Sequence, residues 1–146
     1  MTLAPLYRVR FEYSQGWHVA FAPPPSAEGQ HFFLATGICE GRITGAFKGA
    51  NHPRRRGDGT FEPNMQGVIE TTDGATIFFD HRGYGRAYPA GRRQIVIAGT
   101  HVCSDERYKW LNDSIAVGAG EVRVREGQPS EVVVEWSEVV WEPLTC

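Results

Sequence analysis

The chain has 146 residues, 41% hydrophobic and 22% charged, enough to bury roughly 70% of the surface its unfolded form exposes, which excludes a disordered or fibrous protein. A formal charge of −2 offers no sequence-wide attraction for polyanions, and no stretch approaches the ~20 apolar residues that cross a bilayer, so neither nucleic acid nor membrane is an expected partner. The opening residues hold no apolar segment followed by a small-residue cleavage site, which points to a cytoplasmic location.

Short runs rich in β-branched and aromatic residues recur between turn signals, and no sustained helical apolar period appears. The chain reads as all-β, with candidate strands at 7–13, 17–21, 31–36, 42–48, 65–72, 76–81, 93–100, 113–118, 121–125 and 131–142. After the second of these, Pro23, Pro24 and Pro25 cannot donate ladder hydrogen bonds and mark a break. Asp58-Gly59 and Asp73-Gly74 supply the positive-φ positions of tight hairpins, and the 17 glycines read as frequent turns. So many strands leave vulnerable edges unless the sheet closes on itself. A single closed or strongly curled antiparallel barrel is therefore favoured over an open sandwich. With no repeat, linker or low-complexity tract, residues 1–146 are expected to form one domain.

Alternation gives each strand two faces. Ile77, Phe79 and His81 oppose Thr76, Phe78, Asp80 and Arg82, so Asp80 and His81 make a poor dyad and at most one faces a cavity. Val132, Val134 and Trp136 form the clearer core stripe.

The five histidines, His18, His31, His52, His81 and His101, are the natural groups for proton transfer near neutral pH. None stands in HxH or HExxH spacing, and Cys39, Cys103 and Cys146 form no CxxC or zinc-spaced cluster, so no metal set is expected and the cysteines read as free thiols. No Ser lies in a GxSxG elbow, and Gly83-Tyr84-Gly85 lacks the third glycine and the helix of a dinucleotide fingerprint; no cofactor is expected. His52 is followed closely by Arg54, Arg56 and Asp58, which can combine a proton shuttle, an anion-binding fork and an orienting acid; a solvated hairpin with weak ion pairs accounts for the same residues. His101 and Cys103 share a face of an extended strand, either as an activated thiol or as a buried inert one. Tyr108, Trp110 and Asn112 alternate, so an extended segment places two aromatics and an amide on one surface, as a ligand wall or a core seam.

Several segments stand in a recognisable order: Leu3, Pro5, Leu6 and Tyr7; Thr36, Gly37, Gly41, Ile43 and Gly45; Asp58-Gly59-Thr60; Thr72-Asp73-Gly74-Ala75 with Ile77, then Gly83; and Arg107, Tyr108, Trp110, Leu111 and Asn112 running into Gly118. Over most of the chain this order resembles domain-of-unknown-function family 3237, a family of small β-barrel proteins. The resemblance implies a calycin-like barrel able to form a homodimer, and it places Arg56, Asp58 and residues 110–112 among the family-like positions; it implies no reaction. Asn51-His52 stands where the family often has Asp-Trp, and Gln66-Gly67 where it often has Arg-Tyr, so a different pocket is expected.

The leading expectation is a small-molecule-binding barrel acting as a cofactor-independent isomerase, cyclase or lyase on an apolar or aromatic metabolite. His52, Arg56 and Asp58 supply catalysis in that reading, and Arg54, Tyr108, Trp110, Asn112 and His101 hold the substrate. A non-catalytic carrier or sensor uses the same cavity, and a structural subunit uses the aromatic faces to meet a partner.

Overall fold

Strands bury one face and wet the other, and this chain uses that pattern along nearly its whole length. In the computed structural model, which describes residues 1–87, 93–126 and 128–145, the strands are β1 (Thr2–Ala20), β2 (Gly29–Gly41), β3 (Gly45–Asn51), the two-residue β4 (Arg54–Arg55) and β5 (Phe61–Glu62), β6 (Asn64–Thr71), β7 (Thr76–Ala87), β8 (Arg93–Val102), β9 (Ile115–Arg125) and β10 (Gln128–Val140). A 3₁₀ turn, Lys109–Asp113, lies between β8 and β9. Among the described residues no helix is long and apolar enough to cross a membrane.

Strands β1, β2, β3, β6, β7, β8, β9 and β10 pair in that cyclic order, each antiparallel to the next, and β10 returns to β1. The result is a closed eight-stranded barrel. Closure removes the exposed edges that so many strands otherwise present. Part-way up, the wall changes strands. β3 ends at Asn51 and β6 begins at Asn64; beyond them β4 pairs with β2, β5 with β7, and β4 with β5. This short hairpin completes the wall at one end, the mouth, while the 3₁₀ turn covers the other and buries Leu111.

An eight-stranded barrel has an interior just wide enough for side chains to fill. Here the filling is aromatic: Phe47 stacks on Phe79 at 4.6 Å between centroids and on Phe11 at 5.2 Å, and Trp136 is 2% exposed. Such rings fit beside positions where the neighbouring strand has no side chain: Gly67 pairs with Phe79 and Gly118 with Trp136. A methyl carbon on Gly67 would stand 2.6 Å from Phe79 Cζ and 2.1 Å from the Lys48 carbonyl oxygen, and one on Gly118 would stand 2.9 Å from the Trp136 ring.

That packing corrects the reading of the glycines as turns. The turns expected at Asp58-Gly59 and Asp73-Gly74 are present, with φ of +87° and +92°. Most other described glycines lie inside strands, where they make room. Residues 113–118 and 121–125, expected as separate strands, are one, β9, because Gly118 and Gly120 are packing positions and not breaks. Residues 7–13 and 17–21 likewise merge in β1, whose register shifts between Tyr13 and Gln15.

Gly67→Ala is expected to destabilise the fold by about 1–3 kcal/mol through overpacking. Gly57→Ala, whose added carbon meets nothing within 4 Å, should leave stability near wild type. Urea midpoints of the two variants check the contrast.

Candidate functional site

At the mouth, the hairpin of β1 and β2 sets Trp17 opposite Phe32 and His18 opposite His31, and the β4–β5 hairpin completes the rim. The mouth holds a cleft of about 650 Å³, whose lining includes Tyr13, His31, Phe33, Arg55, Phe61 and Arg93. That volume lies within the ~300–1,000 Å³ of small-molecule pockets. Tyr13, Asn51, Pro63 and Ile95 form its floor and also border a niche of about 30 Å³ that reaches His81 and Trp136. The niche is large enough for a water or a ligand's polar tip.

Asn51, 6% exposed, holds the floor rigid where the wall changes strands. Its Nδ2 donates to the Tyr13 hydroxyl at 2.9 Å and its Oδ1 accepts from the Asn64 backbone N–H at 3.1 Å. Burial raises the Tyr13 phenol pKa, and the Asn51 bond opposes that shift.

Below the floor stands a column of buried polar rings. His81, 3% exposed, lies 4.4 Å from Phe79 and 4.1 Å from Trp136 between centroids, and its Nε2 has no hydrogen-bond partner. His101, 2% exposed, shares a 2.8 Å hydrogen bond between Nε2 and the Tyr7 hydroxyl. Desolvation penalises the charged form of each. It lowers His101 to about 4, drives His81 well below the usual imidazole range with help from His101, and raises Tyr7. At neutral pH the column is uncharged: two imidazoles in base form and a phenol.

The residues singled out in the sequence fall in three places. His52, Arg54, Arg56 and Asp58 lie on the outside of the mouth. His52 Nε2 hydrogen-bonds Gln66 Oε1 at 2.8 Å, and His52 and Arg54 border an outer groove with Tyr84 and Arg82. Arg54 pairs with Glu28 at 3.1 Å. Arg56 and Asp58 pair at 2.6 Å within one hairpin turn, and the pairing raises the one pKa and depresses the other. Tyr108, Trp110 and Asn112 are at the opposite, covered end. The extended segment expected there is a turn running into the 3₁₀ helix, because Asn112 folds back to bond both Cys103 N–H and Cys103 C=O, while Tyr108 donates to Asp73 Oδ2 at 2.7 Å. The structure does not bring this group together with His52, Arg56 and Asp58, and none of the three lines the cleft. His101 alone lies inside the barrel.

Asp80 and His81 do face opposite ways, with His81 buried and Asp80 exposed. Cys39 and Cys103 are free and buried; burial pushes Cys39 up to about 12, and Cys103 Sγ donates to the Thr76 carbonyl at 3.2 Å. Cys146 lies outside the described residues. Among the described residues no three His, Cys, Asp or Glu side chains converge as a metal site.

The sequence shows Arg55 only as part of the basic run Arg54-Arg55-Arg56, a solvated loop or a phosphate or carboxylate clamp, and does not single out Phe61, Arg93 or the special standing of His31 and His81. One signal was there: in Arg54-Arg55-Arg56, strand alternation sends the middle residue to the face its neighbours avoid. Arg55 lines the cleft while Arg54 lines the outer groove.

The family described as protein of unknown function (DUF3237) matches residues 1–139. Among curated proteins none matches the chain. A β-barrel-like protein from Acinetobacter baumannii AYE superposes with a TM-score of 0.81 at 20% identity, over 94% of each chain. A protein of unknown function from Clostridium acetobutylicum gives 0.79 at 16%, over 94% of this chain and 97% of that one. An enzyme from Penicillium herquei gives 0.64 at 22%, over 94% of each. At these identities the likeness is one of fold.

The buried imidazoles make stability depend on pH with a definite sign. Unfolded histidines bind protons near pH 6.5, whereas folded His101 binds only near 4, so the folded state is fully favoured above about pH 6.5 and loses stability as pH falls toward 4. His101 alone contributes on the order of 3 kcal/mol across that window, and His81 adds in the same direction. Urea midpoints should fall between about pH 7.5 and pH 5, and His101→Gln should flatten the slope.

Proposed function

Since the chain belongs to the DUF3237 family of proteins of unknown function, matched over residues 1–139, we propose that its barrel binds a small, largely apolar or aromatic molecule in the mouth cleft and rearranges it by acid–base chemistry. One observation carries the reading. A cleft of about 650 Å³ narrows onto a niche bordered by His81, whose buried Nε2 lacks the hydrogen-bond partner that such atoms nearly always have. A polar atom of a ligand seated in the cleft supplies that partner.

The ligand's body packs on Tyr13, Phe33 and Phe61, and its reacting end points down the niche. Burial keeps the His81 imidazole in its base form at neutral pH, able to take a proton from an acidic O–H or activated C–H of the ligand. The same imidazolium then returns the proton to another atom of the ligand, so an isomerisation or ring closure balances without a co-reactant. An elimination follows the same course when the proton goes to the leaving group. Tyr13, held by Asn51, positions the ligand above His81. The proton-transfer role thus moves from His52, which faces the outer groove and is already bonded to Gln66, to His81.

A carrier or sensor is the second reading, favoured by the low basicity that burial gives both His81 and His101.

Gly85→Phe separates the cleft from every other location, because Gly85 lines it and an added carbon there meets nothing closer than 3.8 Å. Incubation with a metabolite extract, followed by mass spectrometry of the protein-bound fraction, should show a small molecule on wild type and none on Gly85→Phe. His81→Gln should retain the molecule and lose any conversion to an isomer or elimination product. Equal retention by wild type and Gly85→Phe would move binding out of the cleft and overturn the reading; binding without conversion in wild type would establish the carrier.

A further inference from the structure

Most arginines of the outer wall sit beside a carboxylate: Arg8 with Glu135, Arg10 with Glu131, Arg42 with Glu138, Arg54 with Glu28, Arg56 with Asp58 and Arg82 with Asp80. Arg55 and Arg93 face inward and make no ion pair among the described residues. Both instead approach one ring: the guanidinium carbons of Arg55 and Arg93 lie 5.1 Å and 4.4 Å from the centroid of Phe61. Arg55 Nε is buried with no hydrogen-bond partner.

The remaining lining deepens the imbalance. His18 and His31 stack at 5.0 Å, and among the described residues no Asp or Glu lines the cleft. Two guanidiniums and two imidazoles thus share a partly enclosed space with no carboxylate among its described lining residues, in a chain whose formal charge is −2. Burial lowers the pKa of Arg93, with Arg55 adding to the effect, and burial, His18, Arg55 and Arg93 all lower that of His31. Arg93 and His31 are thus held where their positive forms are disfavoured, which an anion in the cleft would relieve.

We propose that this cluster is a carboxylate-recognition site, in which Arg55 and Arg93 grip the acid group of an aromatic carboxylic acid whose ring lies among Tyr13, Phe33 and Phe61. The inference rests on the small-molecule reading of the cleft and names its substrate class. A planar guanidinium fork matches a carboxylate, and its hydrogen bonds to a charged group are stronger than those to a neutral one. Phe61 holds the two forks at a common level, and the ring-lined wall selects a flat aromatic body over a bare anion.

Titration calorimetry with 2-naphthoate, its uncharged isostere 2-naphthamide and inorganic phosphate tests the proposal on the intact protein. Naphthoate should bind at least tenfold more tightly than naphthamide, and phosphate at equal concentration should not displace it. Arg55→Gln and Arg93→Gln should each erase most of that preference, and Arg93→Lys should recover part of it with an unchanged urea midpoint. Equal binding of naphthoate and naphthamide would overturn carboxylate recognition while leaving the small-molecule cleft standing. Displacement by phosphate would reduce the site to a general anion site and overturn the aromatic class. Failure of both naphthalene probes to bind would overturn this inference together with the reading of the cleft.

Discussion

The bore of an eight-stranded barrel is the constraint on which the rest of this structure depends. Strand number sets the diameter, and this diameter leaves room for one layer of side chains from each wall. Several large rings enter such a space beside glycines of a neighbouring strand. Phe79 lies against Gly49 and Gly67, Trp136 against Gly118, and His81 against Gly99. The lower barrel is consequently dense, and a polar group there must find its partner within the wall or from a ligand. Tyr7 and His101 find each other; His81 Nε2 finds none. Neutral imidazoles and a raised phenol follow from this packing, because burial disfavours the charged form of each.

The exchange of wall strands near the mouth produces the second environment. Where β3 and β6 stop, the β4–β5 hairpin continues the wall between β2 and β7, and its two-residue strands turn Arg55 and Phe61 toward the bore. β8 brings Arg93 to the same level from across β7. A buried, neutral interior and a ring-lined mouth that carries Arg55 and Arg93 therefore meet at the floor made by Tyr13 and Asn51. The proposed binding and proton transfer would occupy adjoining levels of one column, the mouth offering charge and area, the niche an unfilled hydrogen bond.

The fold itself carries little of this chemistry. Barrels from bacteria and from Penicillium herquei superpose at 16–22% identity, and one fold hosts unrelated chemistries by changing what lines its cavity. The functional reading therefore stands on the particular residues of this cleft, above all the inward arginines and His81.

The sequence by itself determined the all-β class, the closed sheet, the hairpin turns at Asp58-Gly59 and Asp73-Gly74, the core stripe of Val132, Val134 and Trp136, and the opposite facing of Asp80 and His81. These are consequences of local chemistry and of a period of two, which short windows display. Only the tertiary structure decided that glycines such as Gly67, Gly99 and Gly118 are spaces for rings and not turns, since that depends on the residue each meets on a neighbouring strand. It alone decided that Arg55 turns into the bore and Arg54 out of it, because alternation separates the two faces of a strand but does not say which one is inside. It also set Tyr108, Trp110 and Asn112 at the far end from the mouth. Their spacing suits an extended strand, but the backbone bonds of Asn112 to Cys103 fold the segment, and hydrogen bonds between residues nine apart leave no trace in periodicity. A site assembled from β1, β2, β4, β5 and β8 is invisible to any window along the chain, because closing the barrel is what makes those strands neighbours.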